Sequence, residues 1–355
     1  MDFIVNRQDL REARFVSAAA PALADGQARL RIKKFAFTAN NVTYGAVGDL
    51  IGYWNFFPAE EGWGRIPVWG IAAVDESRHG DLPEGERLYG YLPMSTDLVI
   101  QPDQVTAHGL VDGSAHRAAL PVVYNQYTRL AAEPGYDRDQ DDRRMLLQPL
   151  FMTAFLIDDF LAENDFFGAK TVLLASASSK TAFSVAFLLS KRMGRRVVGL
   201  TSPGNVAFVE GLGCYDEVVA YPDLGSLPAG EPVVIVDMAG NARLLHDVHH
   251  HFGDGVKYSC QVGLTHWEAR GGGEELPGAK PELFFAPSQV DKRRQDWGAA
   301  GFQQRVGAAW QGFLSGTDGW LEMVHGRGVE AVERVYAETV DGRIPPVQGH
   351  ILSLE

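Results

Sequence analysis

Thr171–Asn205, TVLLASASSKTAFSVAFLLSKRMGRRVVGLTSPGN, is the stretch whose reading decides the fold. An apolar run, Thr171–Ala175, ends in the small-residue cluster Ser176–Ser179, and Lys180 and Thr181 follow. Phe183, Ala186, Phe187 and Leu188 then recur at helical spacing, Gly194 closes the helix, and Val197–Leu200 is a second apolar run. Strand, tight turn, helix and strand in ~30 residues make a βαβ crossover. The first amides of such a helix have no intrahelical partner, so an anion can sit there. Ser176, Ser178, Ser179, Lys180 and Thr181 are the candidate phosphate contacts, with a plain ligand-free turn as the alternative.

The glycines of a dinucleotide fingerprint are replaced by alanine and serine, the next-smallest residues. A P-loop reading fails, because Leu174 and Ser179 stand where glycines are required before the lysine. A nucleophile elbow fails as well, since no glycine flanks Ser176, Ser178 or Ser179.

The chain has 355 residues, 46% of them hydrophobic and 22% charged, enough for two domains with real cores. A formal net charge of −13 disfavours nucleic acid as a partner. Cys214 and Cys260 are the only cysteines, which builds neither a disulfide framework nor a cysteine zinc site. The first residues, MDFIVNRQDLRE, lack the apolar core of a signal peptide, and apolar runs such as Leu150–Ile157 fall short of the ~20 residues of a membrane span. A cytoplasmic protein with a small-molecule substrate is expected.

Along the chain, Ala28–Phe37 alternates as a half-buried strand. Residues 38–70 read as loops crowded with aromatic side chains, including Tyr44, Tyr53 and Trp54, which either fill a core or wall a pocket. Short strands are expected at 66–74, 87–92, 97–102 and 105–109, in a partly closed β-barrel. Residues 132–144 read as an exposed linker and 145–161 as an apolar helix. From 171 onward, strands at 171–175, 197–200, 217–220, 232–236 and 256–263 alternate with helices near 181–193, 205–212 and 241–252, as a parallel sheet requires. Residues 291–314 and 318–338 read as helices and 342–354 as a final strand.

This order of parts resembles the medium-chain dehydrogenase/reductase superfamily, and within it the zinc-free quinone and enoyl reductases. ANNVTYGAVGDLIGYWNFFP, LASASSKTAFSVAFLL and TSPGNVAFVEGLGCYDEVVAY are most similar to the DUF2855 family, a label that carries a fold and no established activity. The resemblance implies an α/β protein with a GroES-like β-barrel (1–144), a Rossmann-type doubly wound parallel sheet (145–290), and a return to the barrel over 291–355. Thr201–Asn205 matches the adenosine-ribose loop. Without Asp or Glu there, Thr201, Ser202 and Asn205 are expected to bond a 2′-phosphate, which favours NADP (NADPH) over NAD. Asp237 and Gly240 match the turn beside the nicotinamide ribose, and Gly263 the next strand end. The enoyl-reductase tyrosine that lies over the reacting carbons corresponds to Tyr53, with Tyr44 its neighbour, and a packed barrel aromatic is the alternative.

Asn41, Trp54, Tyr124 and His266 complete the expected substrate wall, with packing as the other option for Trp54 and Tyr124 and a satisfied structural histidine as the other option for His266. His246 and His250 have the i, i+4 spacing of a metal clamp, but no further ligand supports them, so no metal is expected. Lys292-Arg293-Arg294 reads as a solvated charge run. Two functions follow as expectations. One is zinc-independent, NADP-dependent hydride transfer to an activated alkene or carbonyl on an apolar substrate. The other is a non-catalytic dinucleotide- or ligand-binding protein of the same fold. The resemblance also leaves a homodimer open.

Overall fold

Ala28–Phe37 is a strand, as its sequence predicts, buried at both ends and open to solvent only around Lys33. In the computed structural model, which describes residues 1–17, 21–133, 135–263 and 276–355, that strand is β3. Before it come β1 (Asp2–Asn6) and β2 (Ala13–Val16). After it come β4 (Trp63–Gly64), β5 (Pro67–Ser77), β6 (Arg87–Pro93), β7 (Asp97–Ile100), β8 (Pro102–Asp103), β9 (Gly109–Asp112) and β10 (Gln126–Arg129). All of these pair antiparallel, along the path β3-β5-β6-β10-β9-β8 with β7 also on β3, while β2-β1-β4 forms a small separate sheet.

Two local expectations change here. The sequence reads 38–70 as loop, but Ala39–Ala46 is a helix (α1) and Gly48–Ile51 a short second one (α2). Thr38 and Asn41 form a capping box at the start of α1, a signal carried by side-chain geometry and hidden in a stretch with few helix formers. The strand expected at 105–109 falls at β9 instead.

Residues 132–144 are not wholly an exposed linker. Asp141 is buried, accepts a bond from Arg87 Nη2 at 2.6 Å, and opens the helix α3 (Asp141–Glu163). The helical stretch Arg138–Glu163 has the length of a membrane span and contains an 18-residue window of mean hydropathy 1.5, which the sequence reading did not anticipate. More than half of its most apolar window is buried in the protein, as for a core helix. Pro149 interrupts the α3 hydrogen-bond ladder at the point where the chain divides into two compact units. One unit is Met1–Pro149 with Glu322–Glu355, and the other is Leu150–Leu321.

The second unit holds β11 (Thr171–Ala175), α4 (Lys180–Leu189), β12 (Arg196–Thr201), α5 (Val206–Gly211), β13 (Glu217–Ala220), β14 (Val233–Asp237), α6 (Ala242–Phe252), β15 (Val256–Gln261), β16 (Pro281–Leu283) and α7 (Ala286–Leu314). Its strands are all parallel, in the order β13-β12-β11-β14-β15-β16. Numbered from β11 this is 3-2-1-4-5-6, the doubly wound dinucleotide-binding order. β11 and β14 are buried at every position, which is why they read as unbroken apolar runs.

The sequence sends 291–355 back to the barrel. In the structure α7 stays with the second unit, and the return begins at Glu322. Arg293, expected on a solvated face, is buried and paired with Asp159 at 2.5 Å, Asp296 at 2.8 Å and Glu163 at 2.9 Å. The helix expected over 318–338 is a strand, β17 (Glu322–Arg327), followed by α8 (Val329–Val340). β17 pairs parallel with β18 (Gln348–Ser353), which lies antiparallel on β3.

Phe313 of α7 is fully buried against Phe151, Phe183, Phe187 and Trp310, at ring distances of 4.8–5.8 Å. Phe313→Ala is expected to cost about 3–5 kcal/mol, measured by urea unfolding. A loss below ~1 kcal/mol would mean that these rings do not anchor α7.

Candidate functional site

The turn after β11 is built without glycine. Ser176 takes the left-handed conformation (φ 54°), which costs a non-glycine residue roughly 1–2 kcal/mol. Its carbonyl accepts from the Ser179 amide at 2.8 Å, which closes the turn. Ala177 is held from both sides. Its amide donates to Leu200 O at 3.0 Å, and its carbonyl accepts the Tyr215 hydroxyl at 2.8 Å. A Cβ on Gly199 would come within 3.0 Å of the Ala177 methyl and 2.9 Å of the Tyr215 ring, so only glycine fits there.

Ser179 is the N-cap of α4, accepting from the Ala182 amide at 3.2 Å. Its hydroxyl is committed to the helix. The Thr181 amide, in the first turn of α4, has no hydrogen-bond partner among the described residues. Asn205 Nδ2 donates to Ser178 Oγ at 3.2 Å and to Ser202 Oγ at 3.1 Å, so three of the expected contacts form one polar bridge. Lys180 is half-buried, and desolvation pulls its ammonium down to about 8. Beside it, Tyr221 hydrogen-bonds Ser176. The sequence reading missed this residue, which no local pattern connects to the turn.

Several expected contacts have other work. Thr201 is fully buried, and its hydroxyl has no hydrogen-bond partner among the described residues. Asp237 is also buried, and its Oδ1 accepts the amides of Ala239 and Gly240, both at 3.1 Å. It therefore organises the turn in which Gly240 sits at φ 71°. Gly263 is buried just after β15, and His266 lies outside the described residues. Asn41, read as a substrate contact, is a cap. Its Oδ1 accepts from the Thr38 amide at 2.8 Å and its Nδ2 donates to Pro67 O at 2.9 Å. Trp54 is core. Its ring fills the space over Gly48 and Gly64, where an added Cβ would lie 2.2–2.3 Å away.

The barrel unit gathers tyrosines. Tyr44 on α1, Tyr53 after Gly52 (φ 84°), Tyr124 and Tyr91 on β6 form a closed ring. Centroids are 4.7 Å apart for 44–53, 5.7 Å for 53–124, 4.7 Å for 124–91 and 5.6 Å for 91–44. Phe56 lies within 6.3 Å of three of them and Trp69 within 6.2 Å of two. The Tyr53 and Tyr124 hydroxyls are 3.1 Å apart. The Tyr91 hydroxyl is buried without a hydrogen bond among the described residues. Burial pushes all four phenols above their ordinary range, so each is a neutral donor. Tyr91 was legible in principle, because Tyr89 and Tyr91 share one face of an alternating strand.

Arg117, which no motif flags, holds this cluster from behind. It is 1% exposed and donates to Asp112 at 2.7 Å, Asn125 at 2.9 Å and Tyr124 O at 2.8 Å. Its guanidinium carbon lies 5.4 Å from the Phe56 ring and 5.0 Å from Phe57. Phe56 and Arg117 also line a pocket of about 250 Å³, where Arg29, Arg65 and Asp97 stand among apolar side chains such as Phe57, Leu98 and Val99. His246 and His250 stack at 3.9 Å, and among the described residues no three His, Cys, Asp or Glu side chains gather as a metal site.

A doubly wound 3-2-1-4-5-6 sheet in one unit and a largely antiparallel barrel in the other define the α/β class expected from the sequence, a GroES-like barrel with a Rossmann-type domain. Residues 35–345 match the family described as "protein of unknown function (DUF2855)", and the chain belongs to that family. None of the curated proteins matches it. Solved structures share the fold. CurA from Vibrio vulnificus in complex with NADPH has 12% identity and a TM-score of 0.64, with 100% of this chain and 99% of that chain covered. The yhdH oxidoreductase from Salmonella enterica in complex with NADP has 12% identity and a TM-score of 0.53, covering 97% and 95%. CurK enoyl reductase has 11% identity and a TM-score of 0.58, covering 96% and 95%.

Arg117→Met is expected to cost about 3–5 kcal/mol, because it strands the buried Asp112 carboxylate. Urea unfolding measures the loss, and near-ultraviolet circular dichroism should show the tyrosine ring loosening. An unchanged dichroism spectrum would separate Arg117 from the cluster.

Proposed function

We propose that this protein is a zinc-independent, NADP-dependent oxidoreductase that transfers hydride to an activated alkene or carbonyl. The observation that carries the reading is the turn after β11, where the Thr181 amide, the Ser178 hydroxyl fixed by Asn205 and the desolvated Lys180 belong to one helix start. These groups fit a pyrophosphate. The amide is a free donor, the hydroxyl is fixed by Asn205, and a buried cation gains from a bound anion. Ser202 and Asn205 would hold the 2′-phosphate, with Gly240 and Gly263 giving backbone room for the nicotinamide ribose. The complexes of CurA with NADPH and of the yhdH oxidoreductase with NADP support the same cofactor.

When bound, the reduced nicotinamide supplies hydride. Tyr53 would hold the substrate oxygen and give up a proton as negative charge develops, with Tyr44 packed against it. The uncharged, aromatic surroundings favour a flat, apolar, conjugated substrate. Calorimetry with NADPH and NADH, followed by NADPH consumption with enones and quinones, tests the reading. Binding without turnover on any of them would leave the alternative, a non-catalytic dinucleotide-binding protein. Absence of binding to either nucleotide would end both.

The pH dependence of binding has a defined sign. A bound phosphate raises the Lys180 pKa from about 8, so above that pH binding must take up a proton. The phosphomonoester of NADPH is already ionised there, its second pKa being about 6. The NADPH Kd is therefore expected to weaken as pH rises from 8, by up to about tenfold per unit. Lys180→Gln should flatten this dependence. A wild-type Kd constant between pH 7.5 and 9.5 would remove Lys180 from the phosphate site.

A further inference from the structure

We propose that Tyr124 is the fixed hydrogen-bond donor to Tyr53, so that the two phenols act as one relay in which Tyr53 is the proton donor and Tyr124 the positioning residue. The proposal rests on the reductase reading for its chemistry, though the donor relation itself does not depend on it.

Two hydroxyls 3.1 Å apart share one of their two protons. Which proton is shared decides what Tyr53 can do. If Tyr53 donated to Tyr124, its own proton would be occupied and no acid would face a ligand. If Tyr124 donates, the Tyr53 proton stays available and the charge left behind is stabilised. The second arrangement follows from Tyr124 being the partner whose backbone is anchored. No carboxylate or ammonium belongs to the ring, whose other members are Tyr44, Tyr91 and Phe56. Desolvation raises both phenols, so both are neutral hydroxyls.

Tyr124 is held where a donor must be. Its carbonyl accepts from Arg117 at 2.8 Å, its amide donates to Pro121 O at 3.1 Å, and the Asn125 amide donates to Val122 O at 2.9 Å. Arg117 is itself locked by Asp112 and Asn125. Asn125 Nδ2 returns a bond to Arg117 O at 3.0 Å. The turn therefore has its position set by a buried ion pair, and a phenol mounted on it has little freedom to swing away.

A bound reduced nicotinamide would supply hydride to the β-carbon of a conjugated enone, leaving negative charge on the enone oxygen for Tyr53 to neutralise. The Tyr53 O–H bond breaks, the proton passes to the enolate, and the electron pair stays on the Tyr53 oxygen. The Tyr124 O–H stabilises that phenolate until water returns a proton.

The decisive test needs neither cofactor nor substrate. Trifluorotyrosine at position 53, whose fluorines bring the phenol into an accessible pH range, is titrated by its fluorine NMR shift in the full chain. Tyr124→Phe should raise its midpoint by about one unit, a tenfold change in acidity. A midpoint that stays put or falls overturns the donor assignment. Circular dichroism of Tyr124→Phe checks that the ring remains folded, and should it not, Arg117→Lys provides the same readout by displacing Tyr124 without deleting its hydroxyl. With NADPH and benzalacetone, Tyr124→Phe should lower kcat about ten- to a hundredfold with KM within twofold. The double variant with Tyr53→Phe should be no slower than Tyr53→Phe alone. Additive losses would make Tyr124 an independent contributor and overturn the relay. If the wild type reduces no enone, the reductase reading fails, and the fluorine titration still decides whether Tyr124 donates to Tyr53.

Discussion

A strand buried at every position, with a parallel neighbour on each side, leaves its chain one way out. β11 is that strand, and every nearby choice answers to it. The chain must leave its end, reverse and start α4 within four residues, and one residue must take a positive φ. Serine accepts that strain here. The close approach that a fingerprint glycine would allow is moved to the neighbouring strand, where Gly199 faces Ala177 and Tyr215. The requirement for a missing side chain is thus met in β12, and the turn is free to carry hydroxyls.

The barrel unit answers a similar problem with charge. The loop that carries Tyr124 has a rigid seat, because Arg117 sinks a guanidinium beside Asp112 and against two phenyl rings. A buried ion pair adds little net stability, but breaking it is expensive, so the geometry around it is enforced. The tyrosine ring then needs no charge of its own. Its phenols stay neutral because burial disfavours their charged form.

Legibility followed the range of the interactions involved. The second unit's inner strands were readable because burial on both faces leaves only apolar residues, a signal contained in five consecutive positions. α1 was not readable, because its start depends on Thr38 and Asn41 exchanging hydrogen bonds in a segment of poor helix propensity. β17 was absorbed into the helix that follows, since its half-exposed residues show no alternation and α8 is strongly amphipathic. In the site, Tyr53 and Lys180 stood out by position. Asn41 and Trp54 stood out by type and were misread, because a cap and a core ring look like binding residues until their partners are known. Arg117 and Tyr221 left no trace at all, since each acts on a residue that sequence spacing does not connect to it.

The two candidate sites differ in what they can bind, and the difference narrows the function. The turn after β11 offers donors and a cation, which select an anion. The tyrosine ring offers donors without any cation, which select a neutral acceptor such as a carbonyl oxygen. A protein that only stored a dinucleotide would have use for the first and none for the second. The Tyr91 hydroxyl is buried without a hydrogen-bond partner among the described residues, which leaves this cluster with a donor unspent. It is on this contrast that we propose chemistry, and not binding alone, for this fold.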